Sequence, residues 1–279
     1  MSPPSSPIPV ALSIAGSDSS AGAGIQADLR TFFACGVRGM TAITAVTAQN
    51  LAGVSAIGGI DTELVAAQVQ SVASGFRLVA TKTGMLWSKE IIEGVAALSP
   101  LLGQLVVDPV ILSTSGSRLL EDGAIESYRQ QLLPRSTLCT PNLDEAAELL
   151  DRPAITSSEL PAVALELHQR FGCAVLLKGG HLEGDPIDTL CSANGLVAWT
   201  HPRVLDVNTH GSGCALSAAI TAYLALGSPL IRACEQGLGF VHRSLQQAKP
   251  ATERFQLANL EDAPLGDNPL TRLDYPESG

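Results

Sequence analysis

The stretch Val10-Ala-Leu-Ser-Ile-Ala-Gly-Ser-Asp-Ser-Ser-Ala-Gly-Ala-Gly-Ile-Gln-Ala-Asp-Leu-Arg-Thr-Phe-Phe-Ala34 decides how the rest of the chain folds. Val10–Ile14 is a short apolar run and predicts a strand. Gly16–Gly24 is a small-residue loop, and the residues from about Ile25 to Ala34 predict a helix stopped by Cys35-Gly36, with glycine just past the helix end. Strand, loop and helix form the first part of a βαβ unit, and the alternation continues without a break. Strands are predicted at Met40–Val46, Leu78–Thr83, Leu105–Asp108, Thr137–Thr140 and Ala174–Lys178. Helices are predicted from an Asp61 cap to about Ala73, at Ser88–Leu98, near Gly123–Leu133, and at Leu143–Leu150, Ser158–Phe171, Gly213–Leu226 and Leu230–Ala248. Val54–Ile60 looks like a small strand or flap, and Thr189–Ala193 with Val197–Thr200 like a hairpin around Asn194-Gly195. This order implies α/β architecture, a parallel sheet covered by helices on both faces. With no repeat and no linker after residue 9, it predicts one domain over residues 10–265, a disordered tail over 1–9 and a C-terminal tail over 266–279.

Composition excludes whole classes of function. The 27 acidic and 17 basic residues give a net charge of −10, with 46% of the chain hydrophobic and 16% charged. An acidic chain without a Lys/Arg run lacks the footprint that nucleic acid or an anionic membrane requires. The longest apolar stretch, Ala215 to Leu226, is too short to span a bilayer. Residues 1–7 have neither a basic start nor an apolar core, so the expected location is cytoplasmic. Six cysteines lie far apart without CxxC or Cys/His clustering, which disfavours zinc or disulfides and predicts buried thiols.

Two glycine-rich segments sit where a strand hands over to a helix, the place where backbone N–H groups and the helix dipole cradle an anion. Gly22-Ala-Gly-Ile-Gln-Ala27 formally satisfies GxGxxA. A dinucleotide fold, however, needs a tight first turn and an acid closing the second strand, and Ala45–Asn50 contains none. No Gly-Lys-Ser/Thr occurs, so a Walker loop is absent. The second segment, Asn208-Thr-His-Gly-Ser-Gly-Cys-Ala-Leu-Ser217, opens a helix directly, and Gly211, Ser212 and Gly213 make a hole for a transferring phosphoryl group. Lys178 ends a strand, where ligands of open α/β sheets bind. Asn142 and Glu145 follow another strand as an NxxE pair suited to hydrated Mg²⁺, and Asp108 ends a third. Anion hole, cation and metal acids together describe phosphoryl transfer.

The chain resembles the ribokinase-like small-molecule kinases and, within them, the hydroxymethylpyrimidine/phosphomethylpyrimidine kinases of thiamin synthesis. Seven segments carry the resemblance: Ile14–Asp28, Thr44–Asn50, Thr81-Lys-Thr-Gly-Met85, Val107-Asp-Pro-Val110, Thr140-Pro-Asn-Leu-Asp-Glu145, Leu177-Lys-Gly-Gly-His181 and Asn208–Cys214. The resemblance implies a single-domain three-layer α/β/α sandwich with a mostly parallel central sheet and a small flap. It implies ATP and Mg²⁺ as cofactors, a small pyrimidine as substrate, and a homodimer formed through the flap near Val54–Ile60.

By the same resemblance the pyrimidine sits among Gly16, Asp28, Gln49, Met85 and Val110. MgATP lies toward Asp108, Asn142, Glu145, Lys178 and the Gly211–Cys214 loop, with Ser212 where the family often has Thr. A Gln amide pairs with the donor and acceptor of a 4-aminopyrimidine as it does with adenine, and a thioether covers the ring face. Cys214 stands where most ribokinase-like enzymes place an aspartate base. A helix N-terminus lowers a thiol pKa from about 8.5, so a thiolate near neutrality is expected, as base or as positioning group. His181 and His210 are expected to be loop hydrogen-bonders. Two alternatives stay open: a pyridoxal/pyridoxine kinase, and a catalytically silent domain that binds a vitamin precursor.

Overall fold

The computed structural model describes residues 8–50, 52–113, 116–180, 184–207, 209–247, 249–252, 255–257 and 270–275. The elements are β1 (Val10–Asp18), α1 (Gly24–Ala34), β2 (Arg38–Asn50), β3 (Gly53–Gly59), α2 (Thr62–Gly75), β4 (Ala80–Thr83), α3 (Lys89–Ala97), β5 (Gln104–Val107), α4 (Ile125–Ser127), β6 (Leu138–Cys139), α5 (Leu143–Leu150), α6 (Leu160–Phe171), β7 (Ala174–Leu177), β8 (Ile187–Ser192), β9 (Gly195–Thr200), α7 (Ser212–Ala225), α8 (Leu230–Gln246), β10 (Lys249–Thr252), β11 (Phe255–Leu257) and β12 (Thr271–Asp274).

Ten strands form one sheet in the order β12-β9-β8-β7-β6-β5-β4-β1-β2-β3. The centre, from β2 through β1, β4, β5 and β6 to β7, is parallel. The flanking pairs β2–β3, β7–β8, β8–β9 and β9–β12 are antiparallel. β10 and β11 form a separate two-stranded sheet. The mostly parallel α/β sandwich expected from the alternation is therefore present. Side chains alternate across it as a pleat requires. Leu12, Ile14, Leu105 and Val107 join α2, α3, α5 and α6 in one core. Ala11, Val106 and Leu176 join α1, α7 and α8 in the other. Every residue of α7 from Ala215 to Ala225 is buried, which fits a helix apolar all round.

Three expectations change. Within the stretch 266–279 expected to be a tail, Thr271–Asp274 pairs with β9 and extends the sheet, while residues 1–7 lie outside the described set. The helix expected near Gly123–Leu133 is regular only at α4. It widens to a π turn over Tyr128–Leu132 and tightens to 3₁₀ at Leu133–Arg135, because Pro134 has no N–H for an α-helical bond. β2 runs on to Asn50 because β3 pairs with its far half as a hairpin. Asp61 caps α2 as predicted, accepting from Glu63 N (2.9 Å). Among the described residues no helix is long and apolar enough to cross a membrane.

Candidate active site

The carboxyl ends of β1, β4, β5, β6 and β7 open into one cleft of about 460 Å³, and every predicted site residue except Asp28 lines it. At one end lie Gly16, Gln49, Met85 and Val110. Met85 packs with Ala45, Leu119 and Val110, and a Cβ built at Gly16 would stand 3.1 Å from its Sδ. The backbone of β1 and this thioether are thus in contact, leaving an apolar floor for a flat ring. Gln49 Oε1 accepts from Thr47 Oγ1 (3.1 Å), and its Nε2 lies 3.4 Å from His210 Nε2.

At the other end Asp108 and Glu145 face Lys178. Its Nζ lies 3.1 Å from Asp108 Oδ1 and 3.8 Å from Glu145 Oε2, and 3.5 Å from a Cβ built at Gly213. The ammonium therefore sits over the first turn of α7. Burial works against its charge, but Asp108 and Glu145 hold its pKa above the usual lysine range. Asp108 also accepts from Ser217 Oγ (3.0 Å) in α7 and from Thr140 Oγ1 (3.3 Å). Gly211, the N-cap of α7, has φ +80°, and a Cβ there would fall 1.9 Å from the Gly22 carbonyl oxygen. Only glycine lets the two glycine-rich loops meet at the helix N-terminus.

The NxxE pair first serves the helix. Asn142 Oδ1 accepts from Glu145 N and Glu145 Oε2 accepts from Asn142 N, both at 2.8 Å, a capping box opening α5. Burial, with Asp108 close by, pushes the Glu145 carboxyl up to about 7 against the pull of Lys178. Among the described residues no group of three or more His, Cys, Asp or Glu could hold a metal ion. Asp108 and Glu145 nevertheless both face the cleft. The donor set fits a hydrated Mg²⁺ shared with phosphate oxygens, not an all-protein cage, and Asn142 belongs to the cap.

Two predicted roles are corrected. Asp28 does not reach the cleft. It is fully buried, accepting from Ser13 Oγ and paired with Lys82 Nζ, each at 2.6 Å, because α1 turns this side chain toward the sheet. Cys214 is not poised as a thiolate in the ligand-free protein. Burial pushes its thiol up to about 11, Asp28 and Asp108 add to this, and Lys82 and the Gly24 N–H pull only part of the way back. The helix end alone suggests the opposite sign. Of the six cysteines, all free, Cys214 is half-buried and the other five are buried as expected.

Sequence reasoning passes over Asp18, whose carboxylate organises the first loop. It accepts from Ser20 N (2.8 Å) and Ala23 N (2.9 Å), and His210 Nε2 stands 3.4 Å away. Burial raises its pKa, yet His210, Ser20 and Ala23 together lower it to about 2. A strand-terminal Asp within Ser-Asp-Ser-Ser is the signal that could have found it. His210 bonds within the loops as predicted. His181 and Asn208 lie outside the described residues.

Comparison with known proteins decides the family. The family model described as Phosphomethylpyrimidine kinase matches residues 18–258. The chain belongs to the phosphomethylpyrimidine kinase family. It is 44% identical over 242 residues to the hydroxymethylpyrimidine/phosphomethylpyrimidine kinase of Rhizobium meliloti, covering 86% of this chain and 91% of that one. It is 49% identical over 217 residues to the enzyme of that name from Salmonella typhimurium, covering 76% and 81%. The structure of the pyridoxal kinase from Staphylococcus aureus in complex with AMP-PCP and pyridoxal superposes with a TM-score of 0.85 at 28% identity, over 96% of this chain and 98% of that one. This member of the phosphomethylpyrimidine kinase family is a phosphotransferase with a ribokinase-like fold, and kinases of its fold bind ATP analogues in crystals.

Proposed function

We propose that the protein transfers the γ-phosphoryl group of ATP to the hydroxymethyl oxygen of 4-amino-5-hydroxymethyl-2-methylpyrimidine, and then phosphorylates the resulting monophosphate in the same cleft. The observation that carries this reading is the division of one cleft into a ring-binding floor of Gly16, Met85 and Val110 beside Gln49, and a phosphate end of Lys178 and the α7 N-terminus. The bond from phosphorus to the β–γ bridging oxygen breaks and a bond to the acceptor oxygen forms, with charge spread over the equatorial oxygens. Lys178 and the first-turn N–H groups of α7 face that charge without reorganisation. Mg²⁺, held through water near Asp108 and Glu145, would neutralise phosphate charge. Cys214, protonated in the resting site, positions the hydroxyl, whose proton leaves on a transferred phosphoryl oxygen; Cys214 takes that proton instead only after the charges around it change and the thiol has ionised.

The reading includes a homodimer built on the β2–β3 flap, where β3 is the terminal strand and Val46 is 49% exposed. Free thiols suit a reducing cytoplasm. The test is ADP release by purified protein with MgATP, comparing the hydroxymethylpyrimidine, its monophosphate and pyridoxal. Turnover of both pyrimidines is the expected result. Turnover of pyridoxal alone would assign the cleft to that hydroxymethyl-bearing ring, which the superposed kinase binds. Absence of ADP release with all three would leave a binding domain.

A further inference from the structure

Lys82 and Asp28 form an ion pair at 2.6 Å in which both side chains are fully buried, and no step of the reaction uses either. Removing two charges from water is costly, and a pair of this kind is weak evidence for stability, since well-packed apolar residues often do as well. Its place in the fold is what gives it meaning. Lys82 sits on β4, two residues before Gly84 in the cleft wall, and a Cβ at Gly84 would lie 3.4 Å from Lys82 Nζ. Asp28 sits one turn along α1 from Gly24, whose N–H donates to the Cys214 sulfur. The sulfur therefore meets the N-termini of two helices, α1 and α7. The ammonium lies under the same cleft wall at Gly84, anchored by Asp28, which Ser13 Oγ holds from β1 at 2.6 Å.

We propose that Lys82 is a positioning residue for phosphoryl transfer: its buried ammonium, oriented by Asp28 and Ser13, places a fixed positive charge near Cys214 and favours the thiolate form that takes up the proton of the acceptor hydroxyl. The proposal rests on the reading of Cys214 as the group beside that hydroxyl. The charges facing the sulfur are Lys82 from β4, Asp28 from α1, Asp108 at the end of β5 and Lys178 at the end of β7. Of these, Lys82 is the cation that pulls the thiol toward ionisation, and Asp28 holds Lys82 protonated against its burial. An ammonium fixed in a dry interior needs no rearrangement when charge appears in front of it, unlike a mobile surface lysine.

The test uses the full chain without substrate. The alkylation rate of Cys214 by iodoacetamide is followed by peptide mass spectrometry between pH 7 and 10; the other five cysteines are buried. One pKa unit is a factor of about ten in thiolate at fixed pH. In the Lys82→Met/Asp28→Asn double variant, which leaves no unpaired buried charge, alkylation slows about tenfold. In Asp28→Asn alone it speeds up. The double variant also loses kcat with both pyrimidines while KM for ATP is held. Equal alkylation rates in the double variant and the wild type, or slowing in both variants, would overturn the electrostatic link. A shifted alkylation profile with unchanged kcat would overturn the role in transfer. Alkylation needs no turnover, so it stands or falls separately from the substrate assignment.

Discussion

The two ends of the cleft are built on opposite principles. At the phosphate end, Lys178 and Asp108 come from two strand ends and Glu145 from the first turn of α5, and the two carboxyl groups face the one ammonium. At the ring end, Gly16, Met85 and Val110 offer shape, and Gln49, the polar reader we propose, stands on the edge hairpin. Electrostatics acts over several ångströms and tolerates the long reach of a lysine. A ring floor works only at van der Waals contact. The difference teaches that the first end should govern rate and the second affinity.

The largest effect should come from Lys178→Gln, which takes the cation from the α7 N-terminus. Turnover number should fall by roughly 10²–10³-fold with KM for the pyrimidine held, measured by coupled ADP release. A rise in pyrimidine KM alone would break the division. Met85→Ala should do the reverse, raising pyrimidine KM about tenfold for the lost apolar contact while KM for ATP stays put. The smallest effect concerns pH. Glu145, raised from 4.5 to about 7, contributes stability that is full below pH 4.5 and is lost as pH rises through about 7, since the unfolded chain has already released the proton that the folded chain holds. Nucleotide-free protein should therefore lose about 1 kcal/mol per pH unit between pH 5 and 7, and Glu145→Gln should flatten that slope in thermal unfolding. Asp18, lowered to about 2, has the opposite sign and loses its contribution only as pH falls below 3.8.

What the sequence makes legible follows the same division. Lys178, Asp108 and the Gly211–Gly213 loop can be found because strand ends and helix starts are visible in the pattern, and charge at those points has few uses. Asn142 and Glu145 are also visible, but the pattern cannot separate a helix cap from a metal site, and here both join the cap while Glu145 also faces the cleft. Asp28 is misplaced because a family resemblance carries over which residue stands at a position, not which way α1 turns its side chain. Lys82 gives no signal at all: Thr-Lys-Thr in a strand looks like an outward lysine, and its full burial depends on Asp28, 54 residues away. The ionisation of Cys214 is equally hidden, since a helix end is local and burial is not.

The sheet is irregular at two points, and both adjoin the ring end. Between Ala15 and Ser17 of β1 the pairing skips a residue on β2, opposite Gly16; between Ala48 and Gln49 of β2 it skips one on β3. In a crystal such faults would be dislocations, places where one row holds an extra unit and the rows beyond are out of step. They tend to pin whatever lies next to them. Deleting the extra residue would heal the row and make the sheet more regular, and in doing so would turn the rows beyond it to the opposite face. The proposed substrate contacts at Gly16 and Gln49 thus depend on defects in the lattice, and a more perfect sheet would be a blind one.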